Sequence, residues 1–252
     1  MTLVLLHGFM GSAAGMGSLA EAVAERTGGE AVAIDLVGHG EAPKPSAATS
    51  YTMPAVVERA AAQLSGFSAQ PIDLFGYSMG GRVALTLALT HPHLVKRLVL
   101  LGASPGLQTE AERAERMESD HRLADALETD GIEAFVDHWL SLPMFEGLHT
   151  LGEEWFTSYR AERLAGDPVG FANSLRSMGT GAMAPLHDRL GDLAPPTLFL
   201  AGGNDHKFCL LGTSMAAQVR QGTFVGIDGA GHAAHLEVPE LVADAIAGFL
   251  AP

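Results

Sequence analysis

The sequence predicts an α/β fold, a mostly parallel sheet with helices on both faces. Two observations carry that expectation. Short apolar runs alternate with longer stretches of helical periodicity, the pattern of βαβ units whose strands are buried on both faces and so lose polar alternation. The 252 residues are also 47% hydrophobic and 17% charged, a globular composition with enough apolar material for one sizeable core.

Strands are expected at Thr2–Leu6, Ala31–Ile34, Ile72–Phe75, Arg97–Leu101, Thr197–Ala201 and Thr223–Ile227. Helices are expected near Met16–Arg26, Thr52–Gly66, Met79–His91, Leu210–Arg220 and Pro239–Leu250. Pro71, Pro195-Pro196 and Pro239 stand at the hand-over points, where a ring without an N–H ends or begins an element. Between Pro105 and about Arg189 the alternation stops. Glu110–Glu128, Ile132–Leu140 and Phe171–Met178 have helical spacing, and no strand-like run separates them. The expected organisation is therefore a core of residues 1–104 and 190–252 and a helical cap inserted at 105–189. Such a cap lies over the carboxyl ends of the strands, where open sheets bind ligands.

Fifteen basic against 29 acidic residues give a formal charge of −14, which argues against a nucleic-acid or anionic-membrane partner. An anionic substrate would have to be drawn by local cations against that field. Cys209 is the only cysteine, so no intramolecular disulfide is expected and a reducing compartment is the simpler reading. Met1–His7 reads as a strand, without the basic start or small-residue cleavage site of a signal peptide, and no run approaches the ~20 apolar residues of a membrane helix. These readings point to the cytoplasm, with monomer and dimer both open. The pairs His91/His93 and His232/His235 have no further ligand at metal-site spacing, so neither metal nor cofactor is expected.

The chemistry-bearing motif is Gly76-Tyr77-Ser78-Met79-Gly80-Gly81, placed between a predicted strand and a predicted helix. This is Gly-x-Ser-x-Gly in the strand–turn–helix context of a nucleophile elbow, where the glycines permit a turn that projects the serine from the sheet edge. Asp205 follows the strand at Thr197, and His232, in Gly229-Ala230-Gly231-His232, follows the strand at Thr223. The order Ser, Asp, His is that of the α/β-hydrolase fold. His232 would take the serine proton and Asp205 would fix its tautomer. His235 is a neighbouring alternative base, although it reads as the start of the last helices. The loop His7-Gly8-Phe9-Met10 after the first strand would supply one oxyanion-hole amide at Phe9, and Met79 the other. His7, Asp35 and His39 read as loop-stabilising groups.

The sequence resembles the family of 2-succinyl-6-hydroxy-2,4-cyclohexadiene-1-carboxylate synthases of menaquinone biosynthesis, nearly end to end. The resemblance rests on Leu6–Ser12, Gly76–Arg82, Ser104-Pro105-Gly106-Leu107, Arg113 and Arg116 with Ser119-Asp120, and Phe135, Trp139 and Pro143-Met144-Phe145. It continues in Ser174-Leu175-Arg176-Ser177-Met178-Gly179-Thr180-Gly181, Asp205-His206-Lys207-Phe208 and Gly229–Glu237. The elbow and triad motifs belong to the whole superfamily. The Arg after the elbow, the Met-Gly-Thr-Gly run and Asp-x-Lys-Phe are more specific. Met16 stands where the family often has tryptophan, and Gly203-Asn204 replaces a Glu-x pair.

What the resemblance implies is a carbon–oxygen lyase that eliminates pyruvate from a small anionic carboxylate substrate. Ser78 would act as a base and the oxyanion hole would hold an enolate. It also implies that Tyr77, Arg82, Arg116, Trp139 and Arg160 bind the substrate, since arginine forks onto carboxylates. Arg113, Arg122 and Arg163 read as solvated ion-pair partners on Glu-rich helices, and Arg176 is open. The residues alone leave a serine hydrolase of a carboxylated ester or C–C bond equally compatible with the triad, and a non-catalytic receptor on the same fold stands as the alternative from another class.

Overall fold

The computed structural model describes residues 1–68 and 70–251. Six strands, β1 (Thr2–Leu6), β2 (Glu30–Ile34), β3 (Ile72–Tyr77), β4 (Val95–Leu101), β5 (Thr197–Gly202) and β6 (Gly222–Ile227), form one sheet in the order β2-β1-β3-β4-β5-β6. Every pairing is parallel. The chain winds outward from β1 to β2, then crosses back to β3 and continues the other way. The carboxyl ends of β1 and β3 therefore border the crevice where winding reverses, the favoured ligand position in open sheets.

Nine α-helices complete the order: α1 (Gly17–Thr27), α2 (Met53–Phe67), α3 (Met79–Thr90), α4 (Glu110–Leu140), α5 (Glu153–Leu164), α6 (Pro168–Met178), α7 (His206–Gln218), α8 (Ala234–Glu237) and α9 (Pro239–Leu250), counted among the described residues. Side chains alternate across a strand, and β1 shows the consequence. Val4 and Leu6 join Leu74, Leu98 and Phe199 under Val56, Val57, Val83 and Leu87 of α2 and α3. Leu3 and Leu5 join Phe75, Val99 and Leu198 under Leu19, Val23, Val242 and Ile246 of α1 and α9. Burial on both faces is why these strands read as unbroken apolar runs.

Helices α4 to α6 lie between β4 and β5. Thr109 caps α4, accepting from the Glu112 N–H while the Glu112 carboxylate accepts from the Thr109 N–H, a reciprocal arrangement that satisfies two helix-end donors. The spacing predicts two helices here. The structure has two helical segments within α4, meeting at a kink at Gly131, whose φ of 87° suits a residue without Cβ. Helix α5 is absent from the sequence expectation: of its twelve residues only Arg163 is buried, and its apolar side chains Trp155, Phe156, Tyr159 and Leu164 pack only half-buried against the core. Ala124, Phe135, Val136 and Leu140 of α4 pack with Phe171 and Leu175 of α6 and with Met10 of the β1 loop. The helical segment is thus anchored beside the carboxyl ends of β1 and β3. Among the described residues no helix is long and apolar enough to cross a membrane.

Candidate active site

Ser78 links β3 to α3 with φ 50° and ψ −107°. Non-glycine residues avoid this region, and holding one there costs on the order of 1–3 kcal/mol. The surroundings enforce it. The Ser78 N–H donates to the Leu101 carbonyl at 2.9 Å. A Cβ at Gly76 would sit 2.5 Å from the Gly80 carbonyl oxygen, and one at Gly80 would collide with the carbonyl oxygens of Leu6 and His7. Neighbouring strand and helix thereby approach closely enough to turn the serine outward, above the α3 N-terminus, whose dipole favours negative charge.

Asp205 and His232 come from loops that are bonded together. Gly203 N–H donates to the Ile227 carbonyl at 2.7 Å and Asn204 N–H to the Ala230 carbonyl at 2.9 Å. Asp205 caps α7, its Oδ1 accepting from the Phe208 N–H at 3.3 Å. Its Oδ2 lies 2.7 Å from His232 Nδ1, and His232 Nε2 lies 3.2 Å from Ser78 Oγ. A carboxylate only accepts, so Nδ1 carries the proton and Nε2 is free to accept from the serine. The His232 ring is buried, with Phe208 at 4.8 Å and Tyr77 at 5.4 Å between ring centroids. It packs on Gly102, where a Cβ would come within 2.9 Å of Cε1.

Phe9 and Met79 line the same cavity as Ser78. Among the described residues neither amide donates to a backbone or side-chain acceptor. Beneath this loop His7 is buried and structural: Nδ1 is 2.7 Å from the Gly8 carbonyl and Nε2 accepts from Leu36 N–H at 3.0 Å. Asp35 accepts from Ala13 and Glu41 N–H groups. His39 reaches the Val37 carbonyl, and burial pushes its pKa down to about 3.

Two cavity lobes meet at Ser78. The larger, about 280 Å³, is lined by Arg82, Arg116, Trp139, Lys207 and His232 among others. The smaller, about 50 Å³, is lined by Tyr77, Trp139, Tyr159, Arg163 and His235. Phe9 and Trp139 meet edge to face at 5.1 Å and contribute to both. Arg82 donates from Nη1 to the Met178 carbonyl, and burial followed by the Arg116 charge pulls its pKa down to about 10, which leaves it cationic at neutral pH. In sum, the arrangement offers a base-activated hydroxyl, two free amides and several cations around one apolar-walled space.

The sequence model for the alpha/beta hydrolase fold matches residues 2–239. A protein of Bacillus subtilis (strain 168) carrying the name 2-succinyl-6-hydroxy-2,4-cyclohexadiene-1-carboxylate synthase is 36% identical over 98% of this chain and 89% of its own. The synthase of Salmonella agona (strain SL483) is 33% identical over 99% of this chain and 93% of its own. The chain belongs to this synthase family. A solved structure of MenH from S. aureus superimposes with a TM-score of 0.91 at 34% identity, covering 99% of this chain and 93% of that one. The chain is accordingly a lyase-family enzyme on the α/β-hydrolase fold.

Within the family framework, the structure brings Ser78, Asp205, His232, Phe9, Met79, Tyr77, Arg82, Arg116 and Trp139 to one site. It does not bring Arg160 there. Arg160 ties α5 to α4, held by Asp137 at 2.5 Å and Glu133 at 3.1 Å, and borders neither lobe. The arginine that does is Arg163, read from the sequence as a solvated partner. Its side chain is 8% exposed, its guanidinium lies 3.0 Å from the Tyr159 ring centre, and it lines the smaller lobe. Tyr159 and Arg163 are one helical turn apart and share a face, whereas Arg160 is rotated about 100° from Tyr159. Sequence reasoning also left Lys207 without a role, although its family motif Asp-x-Lys-Phe was a usable signal. Arg176 is tied to Asp125 and Glu128. His235 is buried with its ring 4.1 Å from Tyr77. Burial pushes its pKa down to about 3, and it makes no bond to Ser78.

Proposed function

We propose that this enzyme eliminates pyruvate from 2-succinyl-5-enolpyruvyl-6-hydroxy-3-cyclohexene-1-carboxylate, giving 2-succinyl-6-hydroxy-2,4-cyclohexadiene-1-carboxylate, in a cytoplasmic menaquinone pathway. The supporting observation is the bonded Ser78–His232–Asp205 relay opening directly onto the lobe that holds Arg82 and Arg116. A relay alone fits any acyl transfer. Cations grouped beside it in a chain of −14 charge fit a reacting molecule with several carboxylates.

In this reading the serine hydroxyl passes its proton to His232 Nε2 while Ser78 Oγ removes the proton on the ring carbon next to the succinyl ketone. The electron pair moves onto the ketone oxygen, which the Phe9 and Met79 amides receive as an enolate. Collapse of the enolate shifts the ring double bond, breaks the bond to the enolpyruvyl oxygen and releases enolpyruvate. That product gains a proton at its methylene carbon to become pyruvate, and Ser78 and His232 return to their starting protonation. Asp205 stabilises the imidazolium in between. Arg82 and Arg116 hold carboxylates in the larger lobe, Arg163 and Tyr77 serve the smaller one, and Phe9 and Trp139 exclude water between them. Residues 105–189 act as the cap that supplies Arg116, Trp139 and Arg163.

The test is pyruvate release from the enolpyruvyl substrate, generated in situ, beside hydrolysis of an activated ester, for wild type, Ser78→Ala and Arg82→Ala. The reading requires rapid pyruvate release that both substitutions abolish or cripple, with feeble ester turnover. Strong ester turnover and background pyruvate would instead make the protein a serine hydrolase of another acid.

A further inference from the structure

The run Met178-Gly179-Thr180-Gly181 closes α6 and packs onto α4. A Cβ at Gly181 would lie 2.6 Å from the Arg113 carbonyl oxygen and 2.7 Å from the Met117 nitrogen, and one at Gly179 would collide with the Asp120 carboxylate. Asp120 is 1% exposed in its side chain and borders the larger lobe. Its Oδ1 accepts from Arg116 Nε at 2.8 Å. Its Oδ2 is buried and has no hydrogen-bond partner among the described residues. On the other side of the same run, the Met178 carbonyl accepts from Arg82. The two lobe arginines are thus joined through one rigid corner: Arg82 to Met178, Gly179 against Asp120, Asp120 to Arg116.

A buried carboxylate with an unsatisfied oxygen is costly, and a negative charge beside an anion site opposes the ligand. Nothing in folding alone calls for it at this position. Arg116 supplies the reason. Its side chain is 41% exposed and, on a long flexible stem, would sample many rotamers at the cavity wall. The Asp120 contact removes that freedom before the ligand arrives, which is how preorganised sites gain affinity.

We propose that Asp120 is a positioning residue, which with the Gly179 backbone pressed against it fixes the Arg116 guanidinium at the spacing from Arg82 that a polycarboxylate requires. This rests on the reading of the lobe as the binding site of the anionic lyase substrate. It does not touch the reacting atoms, so its loss raises KM and leaves kcat nearly intact.

Asp120→Asn keeps the shape and removes the charge. Pure electrostatics would then lower KM, because an opposing charge is gone. Positioning demands the opposite sign: KM rises about tenfold, with kcat changed less than about twofold. In an Arg116→Ala background the same substitution changes KM by less than about twofold, because its effect passes through Arg116. Gly179→Ala, which drives a methyl group into Oδ2, reproduces the KM rise, and it carries the comparison in both backgrounds if Asp120→Asn does not fold by circular dichroism. A KM that falls or stays constant, or an equal effect with and without Arg116, overturns the proposal. If wild type releases no pyruvate, the lyase reading fails separately. Citrate then serves as the tricarboxylate probe by titration calorimetry: affinity lost in Asp120→Asn supports the positioning role, and affinity that is absent or indifferent to the substitution overturns it.

Discussion

Asp205→Asn is the substitution for which the structure fixes the outcome most closely. The two carboxylate oxygens of Asp205 have different partners: Oδ1 accepts from the Phe208 N–H and Oδ2 from His232 Nδ1. An amide placed there can satisfy the Phe208 N–H only with its oxygen, so its NH₂ group must face the imidazole. Nδ1 then becomes the acceptor and the ring proton moves to Nε2, the nitrogen 3.2 Å from Ser78 Oγ. The base is present, nearly undisplaced, and in the wrong tautomer. In triads generally this change costs about 10⁴ in kcat, and at about 1.36 kcal/mol per decade that is about 5.4 kcal/mol of transition-state stabilisation. The assay is pyruvate release coupled to NADH oxidation by lactate dehydrogenase, with the folded fraction matched by circular dichroism. We expect kcat to fall by three to four decades, roughly, with KM within about threefold, since Asp205 does not reach the substrate. A variant keeping more than about a tenth of wild-type kcat would refute the tautomer argument.

Three further outcomes follow from the same geometry. Arg163→Ala should lower kcat/KM by about tenfold or more, as a buried charge-assisted contact is lost, whereas Arg160→Ala, which breaks only exposed pairs with Asp137 and Glu133, should change it less than about twofold; steady-state kinetics of the two decides which arginine faces the substrate. Arg97→Ala strands the 1% exposed Asp73 carboxylate, which Arg97 holds at 2.7 and 2.8 Å; a loss of about 3 kcal/mol is expected, seen as a Tm lower by about 6–12 °C with kcat per folded molecule unchanged. His39 and His235 are buried with pKa values pushed down to about 3, below the unfolded value of about 6.5. Protons therefore bind the unfolded chain first, and stability is full above about pH 6.5 and declines as pH falls toward 3. Differential scanning calorimetry across that window should show the decline, and a slope identical in His39→Asn would count against it.

Much of this molecule was readable from its residues because the signals were local. The strands declared themselves as short apolar runs, most clearly β1, β3 and β5, which are buried nearly throughout and leave no polar alternation to confuse them with helices. The elbow was readable because glycines at Gly76 and Gly80 are required by close approaches that the structure shows. Asp205 and His232 could be placed by chain order and flanking turns. What escaped reading depended on rotation and on distant partners. Whether Arg160 or Arg163 turns inward is decided by the phase of α5, whose one fully buried residue is an arginine and whose apolar side chains are only half-buried. Asp120 gave no sign of burial, because it sits among solvated acidic neighbours and its setting is created by Gly179, some sixty residues away in the chain.

The central claim is that Ser78 acts as a base in an elimination and is never acylated. Quenching the enzyme in mid-turnover and weighing the intact protein, while measuring pyruvate against substrate consumed, tests this most directly. The account predicts an unmodified mass and one pyruvate for each substrate lost. An adduct on Ser78, absent in Ser78→Ala, with substrate consumed and no matching pyruvate, would contradict it.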